Sequence, residues 1–182
     1  MSVIKSKRQE SPFQVKDTFY HLRDRITELA LNDFGYKPDQ VKERLLKRYN
    51  GDLSTEERLH KYNALVKRQE AYNKWFMEEE RKAIIDCLRD VMTEIFLANS
   101  IYPTSMDELM MRREHQDVAI GHCNRLKQEL QYIIRTLPVD MNCYTDIALE
   151  TEREIKLLKG WRKSDNKFKK KFLESEKEEE SE

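Results

Sequence analysis

Residues 119–138, AIGHCNRLKQELQYIIRTLP, decide the fold. Apolar side chains recur in this stretch at alternating gaps of four and three residues: Ala119, Cys123, Leu126, Leu130, Ile133 and Leu137. This spacing places them on one helical face, because an α-helix has about 3.6 residues per turn. Pro138 ends the pattern, since proline has no N–H to donate within a helix. The stretch predicts a long helix that buries one face.

Three further stripes have the same spacing. They are Val15, Phe19, Leu22, Ile26 and Leu29; Ile84, Leu88, Val91, Ile95 and Ala98; and Tyr144, Ile147, Thr151, Ile155 and Leu158. The connections at 101–104 and 138–141 are short, which makes the helices on either side of them antiparallel neighbours. We therefore predict an all-α protein, an antiparallel up-down four-helix bundle whose helices cross at about +20°.

The composition agrees with a helical protein. Only 4 Gly and 4 Pro among 182 residues leave few turns, and charged residues reach 37% against a usual ~25%. A chain of this size buries roughly 70% of its unfolded surface, so its core needs no disulfide or metal. Cys87, Cys123 and Cys143 contain no Cys-x-x-Cys pair, and we interpret them as thiols in a reducing compartment.

No targeting or membrane segment is evident in the sequence. No apolar run approaches the ~18 residues of a membrane span. The opening residues lack the apolar core of a secretory signal. We expect a cytoplasmic protein.

The chain divides into three parts. Residues 1–10 predict a flexible basic arm, 11–165 the bundle, and 166–182 a disordered tail that is first basic and then acidic. Residues 36–73 are richer in charge and are interpreted as a helical insertion between the first and second bundle helices. The helical pattern from 55 to 100 is expected to bend or break near 67–74, where its stripe weakens.

Capping boxes are predicted at two helix starts, where a hydroxyl and an acidic side chain satisfy free backbone N–H groups. They are Ser54 with Glu57, and Thr104 or Ser105 with Asp107 or Glu108. Asp140 or Asn142 is expected to cap the fourth bundle helix.

Positive charge is concentrated near the C-terminus. Residues 156–171 contain eight Lys or Arg and one Asp, a net of +7, whereas 174–182 contain six Glu and one Lys, a net of −5. Close cations with interleaved aromatics are typical of phosphate and base binding. The alternative is a solvated helix end whose cations complement the macrodipole. The candidate nucleic-acid-binding residues are Lys5, Lys7, Arg8, Arg112, Arg113, Lys159, Arg162, Lys163, Lys167, Lys169, Lys170 and Lys171.

Two aromatic residues are candidates for a partner interface. Tyr102 and Trp161 both stand where a bundle helix is expected to end. A large aromatic there anchors a partner or covers the end of the core, and the sequence leaves both interpretations of Trp161 open.

Catalytic and metal motifs are not found in the sequence. There is no Gly-x-Ser-x-Gly and no glycine-rich phosphate loop. His115 and His122 are seven residues apart, about two helical turns, which separates them too far for one ion. An alternative is a helical-bundle ribonuclease using Arg112 or Arg113 with one of these histidines. We expect no catalytic residues, no metal and no cofactor.

Several stretches resemble one known family. They are the opening MSVIKSKR (1–8), ANSIYPT (98–104), the Arg112-Arg113 pair, and 128–166 with LLKGWRKS (157–164). The chain resembles the accessory variability determinant family of diversity-generating retroelements, which are small bacterial and phage four-helix-bundle proteins. The resemblance covers the arm, the first bundle helix weakly, and 74–166 well. It does not cover 36–73, and the acidic tail departs from the family's basic character.

This resemblance implies a specific function. Such proteins form a homopentameric barrel, bind the retroelement's reverse transcriptase, and bind nucleic acid through a basic surface. They assist mutagenic copying of template RNA into cDNA without catalytic residues of their own. The resemblance assigns nucleic-acid binding to Lys5, Lys7, Arg8, Arg112, Arg113, Arg162, Lys163 and Lys167. The alternative interpretation is a purely structural helical adaptor that does not bind nucleic acid.

Overall fold

The computed structural model describes residues 13–179, with side chains through residue 175. The helices are α1 (Gln14–Leu31), α2 (Pro38–Lys47), α3 (Glu56–Ser100), α4 (Met106–Thr136), α5 (Asn142–Ser164) and α6 (Asn166–Glu179). A 3₁₀ turn at Asp33–Gly35 connects α1 to α2. Between residues 13 and 179 the only β-type pairing is one isolated bridge from Tyr36 to Val139. The predicted all-α class is confirmed.

The four predicted apolar stripes form the core. Every stripe residue on α1, α3, α4 and α5 is buried, together with Leu137 just after α4. α3 contacts α4, α4 contacts α5, α5 contacts α1, and α1 contacts α3, so the four stripes close around one interior. Burial of each large aliphatic or aromatic side chain stabilises the fold by roughly 1.5–3 kcal/mol.

Contacts between α3 and α4 run in opposite chain directions. The rings of Phe76 and Tyr132 lie 5.3 Å apart between centroids. Further along α3, the Cys87 thiol donates to the His122 carbonyl oxygen at 3.2 Å. Residue numbers therefore rise along α3 as they fall along α4, and the stripes of both helices stay in register.

α3 runs unbroken for 45 residues, so the expected break near 67–74 is wrong. Asn73 is buried there, with 2% of its surface exposed. Its Nδ2 donates to the Tyr36 hydroxyl and its Oδ1 accepts from Gln69 Nε2, both at 2.9 Å. These polar contacts support the helix where the apolar stripe is thin.

α2 packs on the first turns of α3. Val41 and Leu45 are its buried residues. The Tyr62 hydroxyl donates to the Lys42 carbonyl oxygen at 3.3 Å. Segment 36–73 therefore consists of α2 and the beginning of α3, and α2 supplies the apolar cover that this end of α3 needs.

A hydroxyl side chain caps the start of α4 as predicted, and at the start of α3 the capping residue differs from the predicted one by one position. The Ser105 hydroxyl accepts from the Glu108 N–H at 3.3 Å, and Glu108 Oε2 accepts from the Thr104 N–H at 2.7 Å. The predicted Ser54 cap is wrong by one residue, because the Thr55 hydroxyl accepts from the Arg58 N–H instead.

At the start of α5 the N-cap residue is Met141, whose side chain makes no capping hydrogen bond, so the predicted cap by Asp140 or Asn142 is wrong. Asp140 Oδ1 instead accepts from the Asn142 N–H at 3.1 Å in the turn before the helix.

The expected disordered tail is wrong for most of its length. Residues Asn166–Glu179 form α6, which contacts α4 and α5. α6 is rich in Lys and Glu, which favour helix intrinsically. The predicted basic arm, 1–10, lies outside the described residues.

Burial raises the pKa values of several groups in the core, Glu154, Cys87, Cys123 and Tyr144. Glu154 on α5 is fully buried, and neither of its carboxylate oxygens has a hydrogen-bond partner. Burial raises the pKa of Glu154 to about 8 and that of the Cys87 thiol to about 11. Cys123 is also buried, whereas Cys143 is exposed. Within the described chain, no helix has the length and apolar character needed to cross a lipid bilayer.

Candidate nucleic-acid interface

Exposed lysines follow one another along α5 and into α6. Lys156, Lys159 and Lys163 are separated by three and four residues, which places them on one face of α5, and Lys167 lies in the first turn of α6. We call these four residues the lysine ridge. Among the described side chains, none of the four forms an ion pair within 4.0 Å. Their charge is therefore available to an outside anion.

A shallow groove of about 390 Å³ lies beside the lysine ridge. Its lining includes Lys159, Arg162, Lys163 and Asn166. The field of these cations is felt by a neighbouring carboxylate: a hydrogen bond from Lys127 lowers the pKa of Glu152, and the charges of Lys156 and Lys159 lower it further. A phosphate at the same surface meets the same field.

The predicted cations of the tail lie on α6. Lys169, Lys170 and Lys171 are exposed. Lys167 Nζ lies 5.0 Å from the centroid of the Phe168 ring. The structure therefore brings the C-terminal cations of the prediction onto α6, next to the end of α5.

Arg112 is a correction to the predicted site. Its Nε donates to Asp165 Oδ2 at 2.9 Å and its Nη1 to the Ile101 carbonyl oxygen at 2.7 Å. Only 12% of its side chain is exposed. These contacts tie the guanidinium to the α5–α6 junction and to the segment before α4, so little of its charge is exposed to solvent.

Arg113 and Arg162 meet at the α4–α5 interface. Arg113 Nη2 donates to Asn166 Oδ1. Arg162 Nη2 donates to Asp117 Oδ2 at 2.9 Å, and its Nε lies 2.6 Å from Asp117 Oδ1. The charge of Arg162 is thus balanced by a carboxylate, and the lysine ridge is the stronger candidate for phosphate contact.

Asp165 is the residue that sequence reasoning missed. It stands between α5 and α6 with 1% of its surface exposed. Its Oδ2 accepts from Arg112 and also from Gln116 Nε2 at 2.8 Å. In the sequence it is a lone acid within a cationic run, and nothing in that pattern shows which helix it faces.

The two candidate interface aromatics have different surroundings. Trp161 packs against the core, with the Phe13 ring at 4.9 Å edge-on and the Arg112 guanidinium 5.0 Å from its centroid. Trp161 is therefore partly buried against the hydrophobic core, which favours the second of its two interpretations. Tyr102 is 73% exposed, and its ring meets only the edge of Phe168 at 5.7 Å among the described aromatics.

The candidate ribonuclease residues are engaged with different helices. His115 Nδ1 lies 2.7 Å from Glu94 Oε2 on α3, whereas Arg112 bonds Asp165 beyond the end of α5. His122 Nδ1 lies 3.9 Å from Asp90 Oδ2. Between residues 13 and 179, no cluster of three His, Cys, Asp or Glu residues is suited to hold a metal ion.

The remaining predicted cations lie outside the described range. Lys5, Lys7 and Arg8 belong to the N-terminal arm, whose surroundings the structure does not describe.

Comparison of the chain with family models, with curated proteins and with solved structures gave no match. Evidence about the function therefore comes from the residues of this chain and from their geometry.

Proposed function

We propose that this chain is a non-enzymatic accessory protein of a diversity-generating retroelement. In this role it binds a reverse transcriptase and nucleic acid, either template RNA or cDNA, and assists mutagenic cDNA synthesis. The proposal joins the resemblance of the sequence to accessory variability determinants with the lysine ridge. It requires no cofactor and no catalytic residue, and it places the protein in the cytoplasm.

The observation that carries the nucleic-acid part is the unpaired charge of the lysine ridge. The ridge lysines are all exposed, and none forms an ion pair within 4.0 Å with a described side chain, although Glu152 is near enough for Lys156 and Lys159 to lower its pKa. Lys169, Lys170 and Lys171 extend the same charge along α6. Neutralising phosphates releases condensed counterions, which supplies most of the binding free energy of a basic surface of this kind.

We further propose that α1, α3, α4 and α5 form an antiparallel up-down four-helix bundle. Support comes from opposite-running contacts, such as Phe76 of α3 with Tyr132 of α4 and Arg25 of α1 with Glu150 of α5. By its resemblance the chain assembles as a homopentamer, with α2 and the beginning of α3 added to the usual bundle. Light scattering gives the assembly mass directly.

A charge-reversal experiment tests nucleic-acid binding. We expect Lys159→Glu, Lys163→Glu and Lys167→Glu together to weaken binding of a structured RNA by about a hundredfold at 50 mM salt. The matched control reverses three exposed cations of α3, Lys61, Lys82 and Arg89, with the same change of net charge. An equal loss of RNA affinity in both variants would contradict a specific basic surface, and so would RNA binding that does not weaken as the salt concentration rises.

Partner binding needs its own experiment. We expect the protein to co-purify with a reverse transcriptase encoded beside it, and to increase cDNA yield from that enzyme's template RNA in a purified reaction. A genomic neighbourhood without a reverse transcriptase, or an unchanged cDNA yield, would remove the retroelement role while leaving nucleic-acid binding testable.

A structural adaptor is the second candidate, and one groove favours it. Met110, Met111 and Val118 expose 57%, 55% and 39% of their surfaces along α4. With Arg113 and Arg162 they line a groove of about 610 Å³. Exposed methionines are common on protein-binding surfaces. An adaptor predicts that the partner complex survives reversal of the lysine ridge and is lost in Met110→Glu with Met111→Glu.

A further inference from the structure

A second basic surface lies where α2, α3 and the end of α4 meet. Arg44 of α2 and Arg48, the residue that follows α2, line a groove of about 200 Å³ together with Gln69 and Asn73 of α3 and Thr136 of α4. Val41 and Leu45 also line it. Along α4, Thr136 is 23 residues from Arg113, or about 35 Å at 1.5 Å per residue. This surface is therefore remote from the lysine ridge.

The two arginines of the groove have no acidic partner. The acids closest to them in sequence have other partners, since Glu43 lies 3.0 Å from Lys47 Nζ and Asp52 pairs with Arg58. On α3, Glu70 lies 3.8 Å from Lys42 Nζ. Among the described side chains neither guanidinium takes part in an ion pair or a side-chain hydrogen bond. Two exposed guanidinium forks on one helical face form a good site for a phosphate group.

Exposed aromatic rings occur on α3 and α4, the two helices that line this groove together with α2. Tyr72, Trp75 and Tyr132 expose 46%, 55% and 48% of their surfaces. They form one cluster through Phe76, with ring centroids 5.8 Å apart for Tyr72 and Trp75, 6.4 Å for Tyr72 and Phe76, and 5.3 Å for Phe76 and Tyr132. Tyr72 and Tyr132 each lie within one turn of a groove residue, Gln69 and Thr136 respectively.

Further arginines flank the aromatic cluster. Arg68 precedes Tyr72 by four residues, and Arg135 follows Tyr132 by three, so each shares a helical face with its tyrosine. Both arginines are exposed and form no ion pair with a described side chain. Glu79, the acid one turn beyond Trp75, forms a hydrogen bond with Lys82 at 2.7 Å.

We propose that this second surface binds single-stranded nucleic acid. The phosphates contact Arg44 and Arg48, and the bases stack on Tyr72, Trp75 and Tyr132. Stacking on exposed aromatics is tolerant of sequence, and each stacked base contributes about 1–3 kcal/mol. Duplexes are excluded from this mode because their bases are already stacked. The proposal stands whether or not the lysine ridge binds nucleic acid.

Tryptophan fluorescence tests the proposal directly. The chain has 2 tryptophans, so Trp161→Phe leaves Trp75 as the only indole. Titration of this variant with a short single-stranded oligonucleotide is expected to quench Trp75 emission by roughly a third or more. A duplex of the same length is expected to leave the emission unchanged.

The arginines are tested in the same background. Arg44→Gln with Arg48→Gln is expected to raise the Kd for the oligonucleotide about tenfold or more. Glutamine keeps helix propensity, and circular dichroism verifies that α2 remains folded. The control is Arg89→Gln with Arg153→Gln, two exposed arginines elsewhere, which is expected to leave the Kd unchanged. The ridge variant of Lys159, Lys163 and Lys167 is expected to retain the quench.

Three results would overturn the proposal. The first is a quench that is identical with and without Arg44 and Arg48. The second is equal quenching by duplex and single strand. The third is displacement of the oligonucleotide from the wild-type groove by a synthetic peptide of residues 172–182, FLESEKEEESE, at lower concentration than by unlabelled oligonucleotide. That last result would identify an acidic protein segment as the true occupant.

Discussion

At the residue scale, Asp165, which follows α5, connects this helix to α4 and α6. Asp165 Oδ2 accepts from Arg112 and Gln116 of α4, while the Asp165 carbonyl oxygen accepts from the Phe168 N–H of α6 at 3.1 Å. The carboxylate and the guanidinium are both largely buried. Removing one partner of such a pair leaves an uncompensated charge away from water.

Asp165→Ala is therefore expected to lower the free energy of unfolding by about 3 kcal/mol. The matched control is Asp117→Ala, which removes the acid partner of the half-exposed Arg162 and is expected to cost less than about 1 kcal/mol. Urea unfolding of both variants measures the difference. Equal costs would show that Asp165 and Arg112 contribute no more than a surface pair.

Glu154 gives the fold a pH dependence. Its pKa is raised by burial from 4.5 to about 8, so the folded state binds its proton more tightly than the unfolded state does. The stabilisation from this proton is complete below pH 4.5 and is lost as pH rises to 8. The free energy of unfolding is expected to fall by about 1.4 kcal/mol per pH unit across that window.

Glu154→Gln removes the titration while keeping the shape. We expect the variant to match wild type near pH 4.5 and to exceed it in stability by several kcal/mol at pH 8. Urea unfolding at pH 4.5, 6 and 8 is the measurement. If the free energies of unfolding of the two proteins changed equally with pH, the Glu154 carboxylate would be hydrated or hydrogen-bonded in solution.

At the element scale, α3 is longer than the helix beside it. Its early turns, before Asn73, pack against α2 and contain no fully buried residue of their own. Most helical stability in proteins comes from tertiary packing, so cover by a neighbouring helix decides the stability of these turns. The continuity of α3 therefore depends on α2.

Val41→Asp with Leu45→Asp is expected to detach α2. Amide hydrogen exchange in 58–70 is then expected to accelerate about tenfold or more, while exchange in 84–98 stays unchanged. Exposed-face substitutions Glu43→Ala and Lys47→Ala form the control pair. Unchanged protection of 58–70 would show that this part of α3 is stable without α2.

The sequence patterns predicted which residues are buried. They did not predict the side-chain pairs that join different helices. Every stripe residue is buried because a period near 3.6 directly reports a covered helical face. The support of α3 at Asn73 by Tyr36 and the inward turn of Arg112 toward Asp165 join positions 37 and 53 residues apart. Such pairs have no local period, so the sequence gives no sign of them.

At the scale of the whole molecule, charge is zero in sum and uneven in distribution. Residues 172–182 contain six Glu and one Lys, a net of −5, and the rest of the chain has +5. We expect this acidic end to compete with polyanions for the basic surfaces at low salt, because screening is weak below about 0.1 M.

Truncation after Lys171 is expected to tighten RNA binding about tenfold at 50 mM salt, with the gain disappearing near 300 mM. Fluorescence anisotropy at the two salt concentrations measures it. The control keeps the length and replaces the six glutamates by glutamine, which should reproduce the gain. A truncated protein that binds no more tightly would show that the tail does not compete.

The three thiols differ in solvent exposure, which allows one of them to be labelled selectively. Cys87 and Cys123 are shielded in the interior, and burial raises the pKa of both, whereas Cys143 is open to solvent. A maleimide dye at neutral pH will attach to Cys143 alone, because thiolates are the reactive form. Cys143 stands in the first turn of α5 and Lys163 in its last. A fluorophore on Cys143 is therefore attached at the opposite end of α5 from Lys163. Ligand binding can be followed with this label, and no cysteine has to be engineered.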